Sequence, residues 1–138
     1  MFKQNGISNA IINAGGDIRL IGSHGKRPWR IGIRHPRYKG EVIETLELEG
    51  DVAVVTSGDY ERFYIFEGQR YHHIINPATG WPAEKSQSAT VIAPNATLAD
   101  AWSTALFIMG KPDSPFILPN IEYLIVNSIS KHHWYKAK

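Results

Sequence analysis

The 138-residue sequence predicts an α+β fold, a mostly antiparallel sheet with one main helix packed on it. Three observations carry that expectation. Short β-branched and apolar runs recur along the chain, each bounded by glycine-rich or turn-rich breaks. One long stretch, Leu98 to Met109, has helical periodicity and stops at Gly110. No repeat, linker or low-complexity segment divides the chain, so residues 1–138 read as a single domain.

In order along the chain, Met1-Phe2-Lys3-Gln4-Asn5-Gly6 reads as the last turn of a helix stopped by glycine. A chain that opens on the end of a helix leads us to expect an N-terminal part ahead of it. Asn9 to Asn13 is a short apolar strand broken by Gly15-Gly16. Asp17 to Ile21 and Trp29 to Ile33 are strand-like, with Gly25-Lys26 as the turn between them. Val42 to Leu48 alternates with glutamates, slipping phase once. Asp51 to Thr56 is a nearly continuous β-branched run, which suits a central strand. Arg62 to Phe66 and Tyr71 to Ile75 flank Glu67-Gly68-Gln69-Arg70, a hairpin. Ala89 to Ala93 is a further strand, and Tyr123 to Val126 is the last clear one.

Composition excludes several classes. Hydrophobic residues make up 43% of the chain and charged residues 20%, as in an ordinary globular domain. The net charge is +2 and the 15 basic residues are dispersed, whereas a nucleic-acid footprint needs them clustered on one face. There is no cysteine, so disulfides and thiolate metal sites are impossible. No apolar run reaches the 18 or so residues of a membrane-spanning helix.

Four stretches could carry chemistry. On a 3.6-residue period Leu98, Trp102, Ala105 and Met109 form an apolar stripe. Asp100 and Thr104, one turn apart, share a face roughly opposite it, with Phe107 one turn beyond Ser103 on that face. A carboxylate and a hydroxyl so placed offer two hard oxygens to magnesium or calcium. Alternatively Asp100, three after Thr97 in the first turn, only complements the helix dipole and caps free amides. In "YHHIINPATG" the two histidines point to opposite faces of a strand, so one ring at most serves a given site. His73 sides with Tyr71 and Ile75, and His72 with Ile74. The rigid Asn-Pro and Thr-Gly turns that follow would hold the ring as a general base, or the ring simply hydrogen-bonds at a strand end. "INAGGDIRLIG" has paired glycines and an acid after a strand, where backbone can approach a ligand closely. It is not a dinucleotide fingerprint, because a strand follows where a helix should. In "TSGDYERF", Thr56, Ser57 and Gly58 can donate to a phosphate from a loop after a strand, or can make a plain turn.

The order of these motifs is more specific than any one of them. "NAGGDIRLIG", "WRIGIRHP", "VAVVTSGDYERFY", "RYHHIINPATGWPA" and "SATVIAPNATLADAWSTALFIMG" follow one another in a sequence that resembles the ApbE family, the FAD:protein FMN transferases, over roughly residues 5 to 126. The resemblance implies a T-fold-like α+β architecture and a magnesium-dependent enzyme. Such an enzyme splits FAD and transfers FMN, with AMP leaving, to a threonine hydroxyl of an acceptor flavoprotein. It implies Asp100 and Thr104 as magnesium ligands and His73, directly before the isoleucine, as the base, with His72 a bystander. Gly15, Gly16 and Asp17, with Thr56, Ser57 and Gly58, match segments that line the flavin nucleotide, and Thr79 of the turn is placed with them. Asn76 and Ala78 depart from the family's commoner acidic and basic residues in that turn.

The family also carries an N-terminal half with a lysine-glycine-tyrosine segment, so this chain is expected to correspond to the C-terminal portion of the family domain. Many members are lipoproteins on the outer face of the bacterial inner membrane. Two other functional classes fit the same residues: a module that binds or hydrolyses FAD without transfer to protein, and an inert domain that only self-associates.

Overall fold

A computed structural model describes residues 2–110 and 120–136. A turn of 3-10 helix at Lys3–Asn5 ends on Gly6, whose φ of 76° is the left-handed value glycine supplies. Ten strands and one α-helix follow among the described residues. They are β1 (Ala10–Ala14), β2 (Asp17–Ile21), β3 (Trp29–Arg34), β4 (Val42–Leu48), β5 (Val52–Gly58), β6 (Phe63–Phe66), β7 (Gln69–His72), β8 (Ser86–Ala93), α1 (Ala96–Met109), β9 (Glu122–Asn127) and β10 (His132–Tyr135).

Every strand pairing is antiparallel. Six strands form the main sheet in the order β1-β2-β5-β8-β9-β10, and β3-β4 and β6-β7 are separate two-stranded ribbons. The sheet has a cover on each side. Ala53, Val55, Val91, Tyr123 and Ile125 pack toward α1 with Leu106 and Phe107. Their neighbours Val54, Ile92 and Leu124 pack the other way, against Ile31, Ile33 and Leu46 of the β3-β4 ribbon. Burial of both faces explains why Ala53 to Val55 and Ala89 to Ala93 are buried at every successive position.

Helix α1 starts at Asn95, an extended residue whose side chain accepts from the Leu98 amide at 2.9 Å. It stops at Gly110, whose amide donates to the Leu106 carbonyl. Its buried face is Ala99, Ser103, Leu106 and Phe107, and not the expected stripe. Leu98 is exposed, and Trp102, Ala105 and Met109 are only half-buried. The helix is apolar over most of its circumference, so hydrophobic periodicity could not rank its faces. What ranks them is size, since Ala99 and Ser103 let the helix approach the sheet. Asp100 is corrected as well. With Asn95 as the cap it lies beyond the first turn, which holds no acidic residue, so the capping role belongs to Asn95.

Other differences have local causes. β5 runs through Gly58 because β8 pairs with it as far as Ser88, so Thr56, Ser57 and Gly58 are strand residues and not a loop. β7 ends at His72, and the hairpin turn shortens to Glu67-Gly68, with φ positive at both. The Gly25-Lys26 turn is present, closed by His24 and Arg27, but it joins two strands of different sheets. β10 lies outside the sequence expectation. His132 to Tyr135 lacks an apolar run, yet it pairs with β9 and stacks Tyr135 on Tyr123 at 4.5 Å.

Candidate functional site

The site forms where β5 emerges between the two covers. At the β1-β2 hairpin Gly15 and Gly16 take φ of 69° and 115°, which side chains disfavour, and the Gly16 amide is held by the Asn13 side chain at 2.8 Å. That turn projects Asp17 toward the end of β5. From the helix side come Asp100 and Thr104, and from the end of β7 comes His73. The walls meet around a cavity of about 500 Å³ lined by Gly15, Asp17, Thr56, Ser57 and Gly58, by His73, and by Asp100 and Thr104. A second cavity of about 580 Å³ opens on the ribbon side of the sheet. It shares Gly15, Thr56 and Glu61 with the first and adds Gly16 and Tyr60.

The structure thus brings nine of the ten expected site residues to two adjoining cavities. Thr79 is apart. Its hydroxyl accepts from the Trp81 amide at 3.3 Å within the turn, and it lines neither cavity. Glu61 and Arg62 line the first cavity although the sequence reading passed over them. They belong to the same "TSGDYERF" stretch, and the signal was their place three and four residues after the end of β5, which faces the site.

The two histidines part as the strand geometry requires. His72 is buried, its ring edge-on to Phe107. The Ala83 carbonyl can only accept, so Nε2 of His72 carries the proton and donates to it at 2.9 Å, while Nδ1 accepts from the Ile74 amide. Both ring nitrogens are consumed by the fold. His73 is exposed and its Nδ1 donates to the Arg62 carbonyl at 3.3 Å, which leaves the Nε2 lone pair unused.

Hydroxyls and acids make up the helix side. Ser57 Oγ on β5 sits 2.8 Å from Ser103 Oγ and 3.0 Å from Thr104 Oγ1, and Thr56 Oγ1 sits 2.8 Å from Thr90 Oγ1 on the opposite face. The Asp17 carboxyl is pushed up from its ordinary range, first by loss of water and then by the charge of Asp100. Neither acid makes an ion pair among the described residues. No group of three or more His, Cys, Asp or Glu among the described residues could hold a metal ion. The acids that need charge are held elsewhere: Arg37 grips the buried Asp59 through both oxygens, at 2.7 and 2.6 Å, and so ties the 35–40 loop under the end of β5.

The comparisons bear on this geometry. The ApbE family model matches residues 1–124. The chain belongs to the ApbE family. It is 42% identical over 112 residues to a FAD:protein FMN transferase of Rhodobacter capsulatus, covering 81% of this chain and 21% of that protein. It is 36% identical over 133 residues to the enzyme of the same name from Escherichia coli K12, covering 95% of this chain and 38% of that one. Among solved structures it resembles the ApbE protein of Thermotoga maritima, with a TM-score of 0.84 and 43% identity over 93% of this chain and 43% of that chain. It also resembles the flavin transferase ApbE of Vibrio cholerae, with a TM-score of 0.75 and 32% identity over 99% of this chain and 45% of that chain. The chain therefore spans less than half the length of each of these ApbE relatives. The mostly antiparallel sheet with a single packed helix is the architecture it shares with them.

The two unpaired acids generate a prediction. A carboxyl raised in the folded chain binds its proton more tightly there than in the unfolded chain. Its ionisation therefore costs stability, and the cost grows as pH rises through and above the usual carboxylate range. Asp17→Asn should be close to neutral near pH 4 and should stabilise the fold at pH 7. Urea unfolding at both values checks it, and a difference that stays constant or shrinks with pH would contradict a raised Asp17 carboxyl.

Proposed function

We propose that these residues form the phosphoryl-transfer part of a FAD:protein FMN transferase. One observation carries the reading: Gly15, Asp17, Ser57, His73, Asp100 and Thr104, drawn from four separate sequence motifs, line a single cavity. The acceptor is a flavoprotein presenting a threonine hydroxyl. In the reaction the hydroxyl oxygen forms a bond to the phosphorus of the FMN half of FAD. The P–O bond to the AMP half breaks, and AMP leaves with its electron pair. His73 accepts the hydroxyl proton at Nε2, the nitrogen its bond to Arg62 leaves available. The paired glycines allow the phosphates to approach the β1-β2 backbone without a side chain between them.

Magnesium fits the donor set. Asp100, Thr104 and Asp17 offer hard oxygens, and the Asp17 carboxyl is raised by loss of water and then by the charge of Asp100. Two carboxylates and a hydroxyl fall short of a complete protein cage, as the absence of any three-acid cluster among the described residues reflects. Magnesium is commonly held by one or two carboxylates together with substrate phosphates, and this arrangement suits that mode. When bound, the ion supplies charge neutralisation to the pyrophosphate.

Incubating the protein with FAD, magnesium and a threonine-bearing acceptor protein tests the reading through covalent flavin fluorescence on a denaturing gel. Release of FMN and AMP without labelled acceptor would assign a hydrolase instead. In that assay His73→Ala should slow transfer by roughly 10² or more, the usual worth of a general base. His72→Ala should act only through stability. Equal losses of rate at saturating FAD, with both proteins folded, would contradict the assignment of roles.

Self-association is the other partner we infer. Phe63, Tyr64, Ile65 and Phe66 are all exposed along β6, and Trp81 nearby is 64% exposed. Aromatic surface of that extent on a two-stranded ribbon is more often covered than left in water. Light scattering on a size-exclusion column should give a dimer or larger species, reduced by Tyr64→Glu with Phe66→Glu. A monomer at all concentrations would leave the ribbon unexplained.

A further inference from the structure

The three hydroxyls between β5 and α1 have a fixed direction, and it decides what Thr104 can bind. Ser103 is fully buried, and its Oγ donates to the Asp100 carbonyl at 2.9 Å, an oxygen that can only accept. A serine hydroxyl has one proton and two lone pairs. With that proton spent, Ser103 can only accept from Ser57, at 2.8 Å. Ser57 has then spent its own proton, so the 3.0 Å contact with Thr104 must run from Thr104 to Ser57. The order is Thr104 to Ser57 to Ser103 to the Asp100 carbonyl, with no freedom left in it.

Two consequences follow. A threonine inside a helix ordinarily returns its proton to the carbonyl four residues back. Here Ser103 occupies that Asp100 carbonyl, and the Thr104 proton is drawn across to the sheet. Thr104 therefore faces the cavity with lone pairs and no hydrogen, the state in which a hydroxyl ligates a hard cation and cannot donate to a phosphate. The same chain anchors the carbonyl of Asp100, so the backbones of both candidate ligands are tied to one network.

We propose that Ser57 and Ser103 are positioning residues that set Thr104 as a lone-pair donor for a divalent cation. This rests on the magnesium reading above and deepens it. Ser103 does not line the cavity, so it would touch neither the ion nor the nucleotide. Removing it frees the Ser57 proton to turn toward Thr104, which in turn frees the Thr104 proton to point into the cavity. Outer partners of metal ligands typically change affinity by 10- to 100-fold.

The test is Mn²⁺ titration of the intact chain, without FAD, by electron paramagnetic resonance of the free ion. Circular dichroism and melting confirm that each variant folds. Ser103→Ala and Ser57→Ala should each weaken Mn²⁺ binding by roughly tenfold or more. Thr104→Val should weaken it at least as much, and Ser57→Thr, which keeps an oxygen in place, should bind close to wild type. If Ser103→Ala fails to fold, Ser57→Ala against Ser57→Thr decides the matter alone. Wild-type affinity in a folded Ser103→Ala or Ser57→Ala protein would overturn the relay while leaving the metal site standing. Absence of Mn²⁺ binding by the wild type would overturn the metal site, and the relay with it.

Discussion

Helix α1 docks on the β5-β8 pair through small residues and hydroxyls, and the placement of the groups around the cavity follows from that contact. Ala99 and Ser103 have no exposed surface, so the helix lies close against the sheet. Close approach brings Ser103 and Thr104 to Ser57, and it turns Asp100 and Thr104 to the edge where β5 ends. A larger residue at 99 or 103 would lift the helix and separate the acid from the β1-β2 hairpin. The polar contact is worth about 1 kcal/mol per bond, small beside the burial of Leu106 and Phe107. Apolar burial holds the helix down, and the hydroxyls fix its register.

The site is built as an unbalanced one. Of the charged groups near it, Arg34 pairs with Glu61 and Arg37 with Asp59. Asp17 and Asp100 line the same cavity without an ion pair among the described residues, and the Asp17 carboxyl is raised, first by loss of water and then by the charge of Asp100. The histidines show the same economy. His72 spends both ring nitrogens on backbone groups and supports the corner, whereas His73, one residue on, uses only Nδ1 in the fold.

Much of this was legible before any coordinates. The strands and the helix could be placed because the apolar runs, glycine breaks and turn residues agree with one another over most of the chain. The two-residue period of a strand separated the faces of His72 and His73, and the family resemblance, not the period, pointed to His73. Less legible were features set by tertiary contact. The buried face of α1 is chosen by small residues, which hydropathy ranks below Leu98 and Trp102. β5 extends through Gly58 because β8 lies beside it. β10 depends on pairing with β9 and on Tyr135 stacking over Tyr123. The hydroxyl relay joins positions 57, 103 and 104, a long-range contact that no local pattern encodes. The family resemblance supplied what spacing could not, a reason to prefer Asp100 as a ligand over Asp100 as a cap, and the Asn95 cap removes only the capping alternative.

The cation-binding point we propose lies between Asp100 and Thr104, beside the paired glycines. Anomalous diffraction from crystals of the chain grown with Mn²⁺ tests it most directly. The account predicts an anomalous peak within about 2.5 Å of an Asp100 carboxylate oxygen and of Thr104 Oγ1, a distance that admits hard oxygen ligands. A peak held by other residues, or none at these two in a fully ordered site, would contradict it.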